Sequence, residues 1–232
     1  MTSSPERVPT GLVIAIDGPS GSGKSSTSRG VAIRLGLGYL DTGAMYRAMT
    51  WWMLRAGVDV SDPRAVAARV DEPVIESGTD PRQPTIVVDG VDVAEAIRSD
   101  AVTGAVSPVS AVPEVRARFL RMQREIIAAA VAAGDGIVVE GRDIGSVVAP
   151  DAPVKVFLTA DAGARAARRA LEEGGSDVSA TEESLLARDR IDSGRAASPL
   201  VRADGAVHLD TTPYTLEEVV DLVVGLVGES VG

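Results

Sequence analysis

The stretch Gly18-Pro-Ser-Gly-Ser-Gly23-Lys24-Ser25 follows the spacing G-x-x-x-x-G-K-[ST]. Glycines so placed let successive backbone N–H groups turn inward on an anion, and a helix starting at the loop adds positive potential. Pro19, Ser20, Gly21, Ser22 and Ser26 complete the cradle. In it Lys24 reaches the terminal phosphates, and Ser25 offers a hydroxyl to Mg²⁺. The ligand this suits is a nucleoside triphosphate. A chance glycine turn would lack the flanks found here. LVIAI (Leu12 to Ile16) reads as a strand buried on both faces of a parallel sheet, and Lys24 to Leu35, stopped near Gly36, reads as a helix.

The elements that must hold this loop alternate between strand and helix. Gly38-Tyr39-Leu40 forms a second strand leading to Asp41-Thr42, with Thr42 as N-cap of an amphipathic helix from Ala44 to Ala56. From about Pro63 to Asp100 the rhythm breaks at Pro73, Gly78, Pro81, Pro84 and Gly90, which suggests a small antiparallel insert. A long helix runs from Pro113 to Ala133 with Gly134 as its stop, then IVVE (Ile137 to Glu140) is another buried strand. VKVFL (Val154 to Leu158) and GAVHL (Gly205 to Leu209) supply two more strands. Arg-rich helices around 161–173 and 181–193 lie between them, and a last helix runs from Leu216 to Val227. The class is α/β.

Composition narrows the function. With 232 residues, 45% hydrophobic and 24% charged, the chain can bury one large domain or a core with an insert, which excludes a mostly disordered protein. No cysteine is present, so disulfides, thiolate metal sites and thiol nucleophiles are excluded, and the single histidine, His208, cannot build a multi-histidine metal site. A formal net charge of −10 disfavours a general nucleic-acid binder, since such affinity comes mainly from Lys and Arg. Residues 1–10 read as a mobile leader without the features of a signal peptide, and no run of about 18 apolar residues occurs, so a cytoplasmic protein without a membrane partner is expected.

The loop alone does not choose between switch, motor and kinase. A guanine-reading Asn-Lys-x-Asp is excluded, because Lys155, the only lysine outside the loop, lies in Val154-Lys155-Val156. The length suits a kinase of small metabolites better than a motor. Phosphoryl transfer brings two anions together and must exclude water, so arginines on a mobile segment would serve it. Candidates are Arg47 after Asp41-Thr42-Gly43, Arg142 in Glu140-Gly-Arg-Asp143, and Arg165, Arg168, Arg169, Arg188, Arg190 and Arg195. Seven arginines face eight carboxylates between Asp161 and Arg202, so pairs on solvated helix faces account for them equally well.

A wider set of segments resembles the bacterial cytidylate kinases, a branch of the nucleoside monophosphate kinases. It comprises IDGPSGSGKS (Ile16 to Ser25), LDTGAMYR (Leu40 to Arg47), SPVSAVPEVRARFLRMQR (Ser107 to Arg124), EGRDIGSVV (Glu140 to Val148), DAPVKVFL (Asp151 to Leu158) and RDRIDSGRAASPL (Arg188 to Leu200). The resemblance covers nearly the whole chain after residue 10. It implies a three-layer α/β/α P-loop core with a five-stranded parallel sheet, made of 11–62, 104–159 and 196–232. A monophosphate-binding insert of 63–103 and a lid with adjoining helices over 160–195 complete the expected division.

It also implies roles. Ser107, Arg116 and Asp143 match positions that read the cytosine edge, where a carboxylate accepts from N4–H₂ and Arg and Ser donors suit N3 and O2. Arg188 and Asp192 match ribose contacts, while Ser20, Arg47, Arg142 and Arg195 match the holders of the monophosphate; Asp41 and Thr42 stand beside them in the acceptor site. Lys24, Arg47, Arg142 and Arg195 would stabilise charge on the transferring group, with Arg165 and Arg169 as lid arginines on the ATP side. The implied reaction passes the γ-phosphoryl group of ATP, with Mg²⁺, to CMP or dCMP in a cytoplasmic monomer. A kinase for another acceptor and an ATP-binding regulatory switch are the alternatives. Glu140 replaces the family's frequent Asp and is one methylene longer, which leaves open whether it touches Mg²⁺ through water or pairs with a neighbour. Trp51, Trp52 and His208 are assigned no chemistry, since packing and a strand-end position explain them.

Overall fold

The computed structural model describes residues 10–172, 175, 177–194 and 200–231. In chain order its strands are β1 (Val13–Asp17), β2 (Gly38–Asp41), three short ones, β3 (Ile75–Ser77), β4 (Ile86–Val88) and β5 (Val91–Asp92), then β6 (Ile137–Gly141), β7 (Val154–Thr159) and β8 (Val207–Asp210). The helices are α1 (Lys24–Leu35), α2 (Thr42–Arg55), α3 (Pro63–Ala68), α4 (Asp100–Ala111), α5 (Pro113–Ala133), α6 (Ala162–Glu172), α7 (Val178–Ser193) and α8 (Leu216–Val231). Five strands pair in parallel in the order β2-β6-β1-β7-β8, and β3-β4-β5 form a separate antiparallel sheet.

Alternation along the central strands divides the core into two. Ile14 and Ile16 of β1, with Val138 and Val156, pack with Val31 of α1 and Val220 and Val223 of α8. Ala15, Leu40 and Val139 instead join Met45 and Met49 of α2 and Phe119 of α5. A strand buried on both faces must be apolar at consecutive positions, which is why β1 is apolar from Val13 to Ile16 and β6 from Ile137 to Val139. The result is the expected three-layer α/β/α arrangement, and it delivers the carboxyl ends of β1, β2 and β6 to one crevice.

Several local expectations change. The N-cap of α2 is Asp41, not Thr42: the Asp41 carboxylate accepts from Ala44 N at 2.9 Å. An extended residue at a strand end with a short carboxylate reaches the third helical N–H, so the helix begins at Thr42, two residues earlier than Ala44. The segment read as a purely antiparallel insert also contains α3, capped by Asp62 and started by Pro63. It is followed by α4, which runs through the expected boundary between 103 and 104. Pro108 removes one hydrogen bond inside α4, but Val102, Val106 and Val109 keep one buried face and the helix continues.

Two glycines are required where the loop meets the sheet and the lid helix. A Cβ on Gly18 (φ +149°) would stand 2.1 Å from the Leu158 carbonyl oxygen, and one on Gly21 (φ +77°) 3.0 Å from Arg165 Cβ. At the other side of the sheet, the connection between β3 and β4 crosses the outer edge of β2. There Tyr39 N donates to Thr79 O at 2.9 Å and Arg29 Nε to Pro81 O at 3.0 Å.

Candidate active site

The loop between β1 and α1 folds around its own donors. Lys24 Nζ donates to Pro19 O at 2.7 Å, Ser22 Oγ to the same carbonyl at 3.0 Å, and Arg142 Nη1 to Gly18 O at 2.7 Å. Burial, with the Arg142 charge next, lowers the Lys24 pKa, which increases the electrostatic value of an anion placed against it. Ser25 is the second residue of α1 and its hydroxyl donates to Glu140 Oε2 at 3.0 Å, while the buried Tyr39 hydroxyl donates to Glu140 Oε1. Burial, then the Asp41 charge, raises the Glu140 pKa. Thr42 Oγ1 donates to the Glu140 main-chain oxygen at 2.7 Å, so the starts of α1 and α2 both tie to the end of β6.

Beyond β6 the chain turns sharply through Arg142 and Asp143. Asp17, the last residue of β1, accepts from Ile144 N and Gly145 N, both at 2.8 Å, one on each carboxylate oxygen. Burial pushes its pKa up to about 6 despite these two donors. Asp143 accepts from Arg116 Nη2 of α5 at 2.5 Å, and Arg116 Nη1 donates to Ser110 O at 3.3 Å. The Arg116 guanidinium also lies 5.5 Å from the Tyr46 ring centroid. Arg47 Nη1 donates to Ile97 O at 3.1 Å and Thr103 Oγ1 at 3.0 Å, linking α2 to α4 and to the chain just before it.

These groups surround one cleft of about 930 Å³. Of the residues singled out above, Ser20, Gly21, Gly23, Lys24, Ser25, Ser26, Asp41, Thr42, Arg47, Ser107, Arg116, Arg142, Asp143 and Arg169 line it. Gly18, Pro19 and Ser22 lie within the loop but not on the lining, and take part in the bonds given above. Arg165 is also not on the lining: it is buried behind the loop, with Nη1 on Ser20 O at 3.1 Å and on Asp189 Oδ2 of α7 at 2.5 Å. Arg168 is turned to Thr211, with Nη1 on its Oγ1 at 2.9 Å and Nη2 on its O at 2.8 Å. Arg188 and Asp192 belong to α7, but their side chains, like Arg195 altogether, lie outside the described residues. Trp52 bonds Asp89 Oδ2 at 3.0 Å and His208 meets Thr159 Oγ1 at 2.8 Å, and neither lines the cleft.

Sequence reasoning missed Arg29, Tyr46, Arg98 and Asp100, which also line the cleft, and Tyr39 behind it. Tyr39 carried one usable signal: a tyrosine inside a buried strand needs a partner for its hydroxyl. Among the described residues no three His, Cys, Asp or Glu side chains gather as a metal cage, and no helix is long and apolar enough to cross a membrane.

A glycine loop at a helix start, a lysine and serine at its end, and a second wall of arginines and carboxylates across the same crevice define a P-loop kinase of small molecules. Comparison with known proteins narrows the class. The sequence profile of the family described as cytidylate kinase matches residues 14–229, and the chain belongs to this family. It is 58% identical to the cytidylate kinase of Streptomyces griseus over 98% of this chain and 97% of that one. It is 61% identical to the cytidylate kinase of Streptomyces coelicolor, over 94% and 93% of the two chains. A solved structure of an uncharacterized protein from Eubacterium ventriosum shares the fold, with a TM-score of 0.52 at 11% identity over 94% of this chain and 98% of that one.

Proposed function

We propose that the enzyme transfers the γ-phosphoryl group of ATP to CMP or dCMP, giving ADP and CDP or dCDP. The observation that carries this reading is a cleft lined both by Lys24 and Ser25 and by Ser107, Arg116, Arg142 and Asp143. An oxygen of the acceptor phosphate forms the new bond to the γ-phosphorus as the bond to the bridging oxygen of ADP breaks. The acceptor is already ionised, so no general base is required, and the protein's task is positioning and charge stabilisation. Lys24, Arg47 and Arg142, with Arg195, take that task. Asp143 uses Oδ2 for Arg116 and keeps acceptor capacity for a cytosine amine; the O4 carbonyl of uracil offers it no donor.

The donor set fits Mg²⁺, which is bound through one or two protein oxygens plus substrate phosphates rather than by an all-protein cage. Ser25 and Glu140 would hold it, and it would neutralise charge on the β- and γ-phosphates. In the same reading the insert of 63–103 closes the acceptor side, supported by Ile97, Arg98 and Asp100 on the cleft, and 160–195 acts as lid, supported by Arg169 there. Arg188 and Asp192 hold the ribose. A monomeric cytoplasmic protein completes it, and the net charge of −10 supports the absence of a nucleic-acid partner.

The test is ADP release from ATP and Mg²⁺ with CMP, dCMP, UMP, AMP and GMP offered separately. Turnover confined largely to the cytosine acceptors is expected. Equal use of AMP or GMP would overturn the base-reading assignment, and tight ATP binding without turnover on any acceptor would leave a regulatory switch.

A further inference from the structure

We propose that Tyr39 is a positioning residue for the metal side of the donor site: its hydroxyl holds one oxygen of Glu140 so that the other is aimed at Ser25. The proposal rests on the reading of Ser25 and Glu140 as the protein oxygens facing the cation that accompanies the triphosphate.

The geometry is built by strand register. β2 and β6 run parallel with Tyr39 beside Val138 and Asp41 beside Glu140, so Tyr39 and Glu140 are diagonal neighbours on adjacent strands. Side chains two positions apart share a face of the sheet, and a diagonal of this kind is spanned by an aromatic side chain and a long acid. Tyr39 is 2% exposed and packs in the layer formed with α1 and α8. Its hydroxyl donates to Glu140 Oε1, and Ser25 Oγ donates to Glu140 Oε2 at 3.0 Å.

Each end of the carboxylate is therefore engaged by a different element. Without the phenol, Glu140 is tethered at one oxygen only and can rotate its carboxylate away from the loop. With it, Ser25 has a fixed acceptor for its single hydroxyl proton, which leaves the two lone pairs of that oxygen for a cation. The extra methylene of Glu over Asp extends the carboxylate further from the strand, toward both hydroxyls. A Phe at position 39 would fill the same packing space, so the hydroxyl is the group whose role is in question.

The experiment measures ATP affinity by calorimetry, once with Mg²⁺ and once with EDTA, for the wild type, Tyr39→Phe, Glu140→Gln and the double variant, each checked for folding by circular dichroism. Groups that orient a metal ligand typically affect metal affinity by tenfold or more. Tyr39→Phe is accordingly expected to reduce the Mg²⁺-dependent gain in ATP affinity by roughly tenfold. Affinity in EDTA should stay unchanged, and the double variant should be no worse than Glu140→Gln. If Tyr39→Phe weakens both affinities alike, or leaves the gain intact while Glu140→Gln removes it, Tyr39 is a packing residue and the proposal falls. If Glu140→Gln itself leaves the gain intact, the underlying assignment of Glu140 falls and takes the proposal with it.

Discussion

The Arg116 guanidinium and the Asp143 carboxylate stand 2.5 Å apart, on α5 and just beyond β6, with side chains 11% and 9% exposed. Each is the other's counter-charge, and the pair forms part of the wall opposite the phosphate loop's own donors. Removing one member leaves the other charge buried and alone. Asp143→Ala is expected to raise KM for CMP by roughly 10- to 100-fold while KM for ATP stays within about twofold. Steady-state kinetics with each substrate varied in turn check this, and an unchanged KM for CMP would remove Asp143 from base reading.

Arg142 reaches back to Gly18 O while lining the cleft, so its charge lies beside the phosphate loop. Arg142→Ala is expected to lower kcat by roughly two to three orders of magnitude, the range seen when one donor to a developing charge is deleted. Single-turnover rates measured beside a thermal melt distinguish a chemical role from simple unfolding.

Asp17 gives a prediction with a defined sign. Folding raises this buried carboxyl from 3.8 to about 6, so the fold favours its protonated form. Its contribution to stability is complete below about pH 4 and is lost as pH rises through about 6. About two units correspond to roughly 3 kcal/mol, so wild type should lose about that much stability relative to Asp17→Asn between pH 4 and pH 7. Denaturant unfolding across that range reads it directly. Asp17→Asn should also weaken CMP binding, since an amide offers one acceptor where Ile144 N and Gly145 N now have two. Those two acceptors hold the turn that carries Arg142 and Asp143.

Gly18→Ala should be among the most damaging single-atom additions in the chain. The new methyl would meet the Leu158 carbonyl at 2.1 Å in a backbone conformation that L residues avoid. A loss of about 2 kcal/mol or more of stability is expected, along with weakened triphosphate binding, because the loop must move off β7. Unfolding curves and nucleotide titration of the same variant would show both, and a fully native profile would contradict the placement of the loop.

How much of this was legible depended on the range of the signal. The phosphate loop and the runs that became β1 and β6 are local patterns, readable because burial on both faces leaves no alternative to apolar residues. α4 was hidden by Pro108, a breaking signal that burial of Val102, Val106 and Val109 overrode, whereas α3 has start signals in Asp62 and Pro63 but is only six residues long within a segment dense in prolines and glycines. Residue-by-residue resemblance named most of the cleft, including Ser107, Arg116 and Asp143. The bonds from Tyr39 and Ser25 to Glu140, 101 and 115 residues distant, depend on which strands become neighbours, and no spacing rule carries that information. The pairing of Arg165 with Asp189 was equally invisible, since either residue alone looks like an ordinary surface charge on a helix.

The crossing of the β3–β4 connection over β2 has a consequence outside catalysis. The outermost strand of an open sheet offers unpaired main-chain groups to any extended segment that meets it, a route to self-association. By occupying the Tyr39 N–H with its own Thr79 carbonyl, and pinning the same stretch to α1 through Arg29 and Pro81, the insert caps that margin from within the chain. The Tyr39 N–H on that outer edge is therefore paired within the chain and is not offered to an extended segment of another molecule.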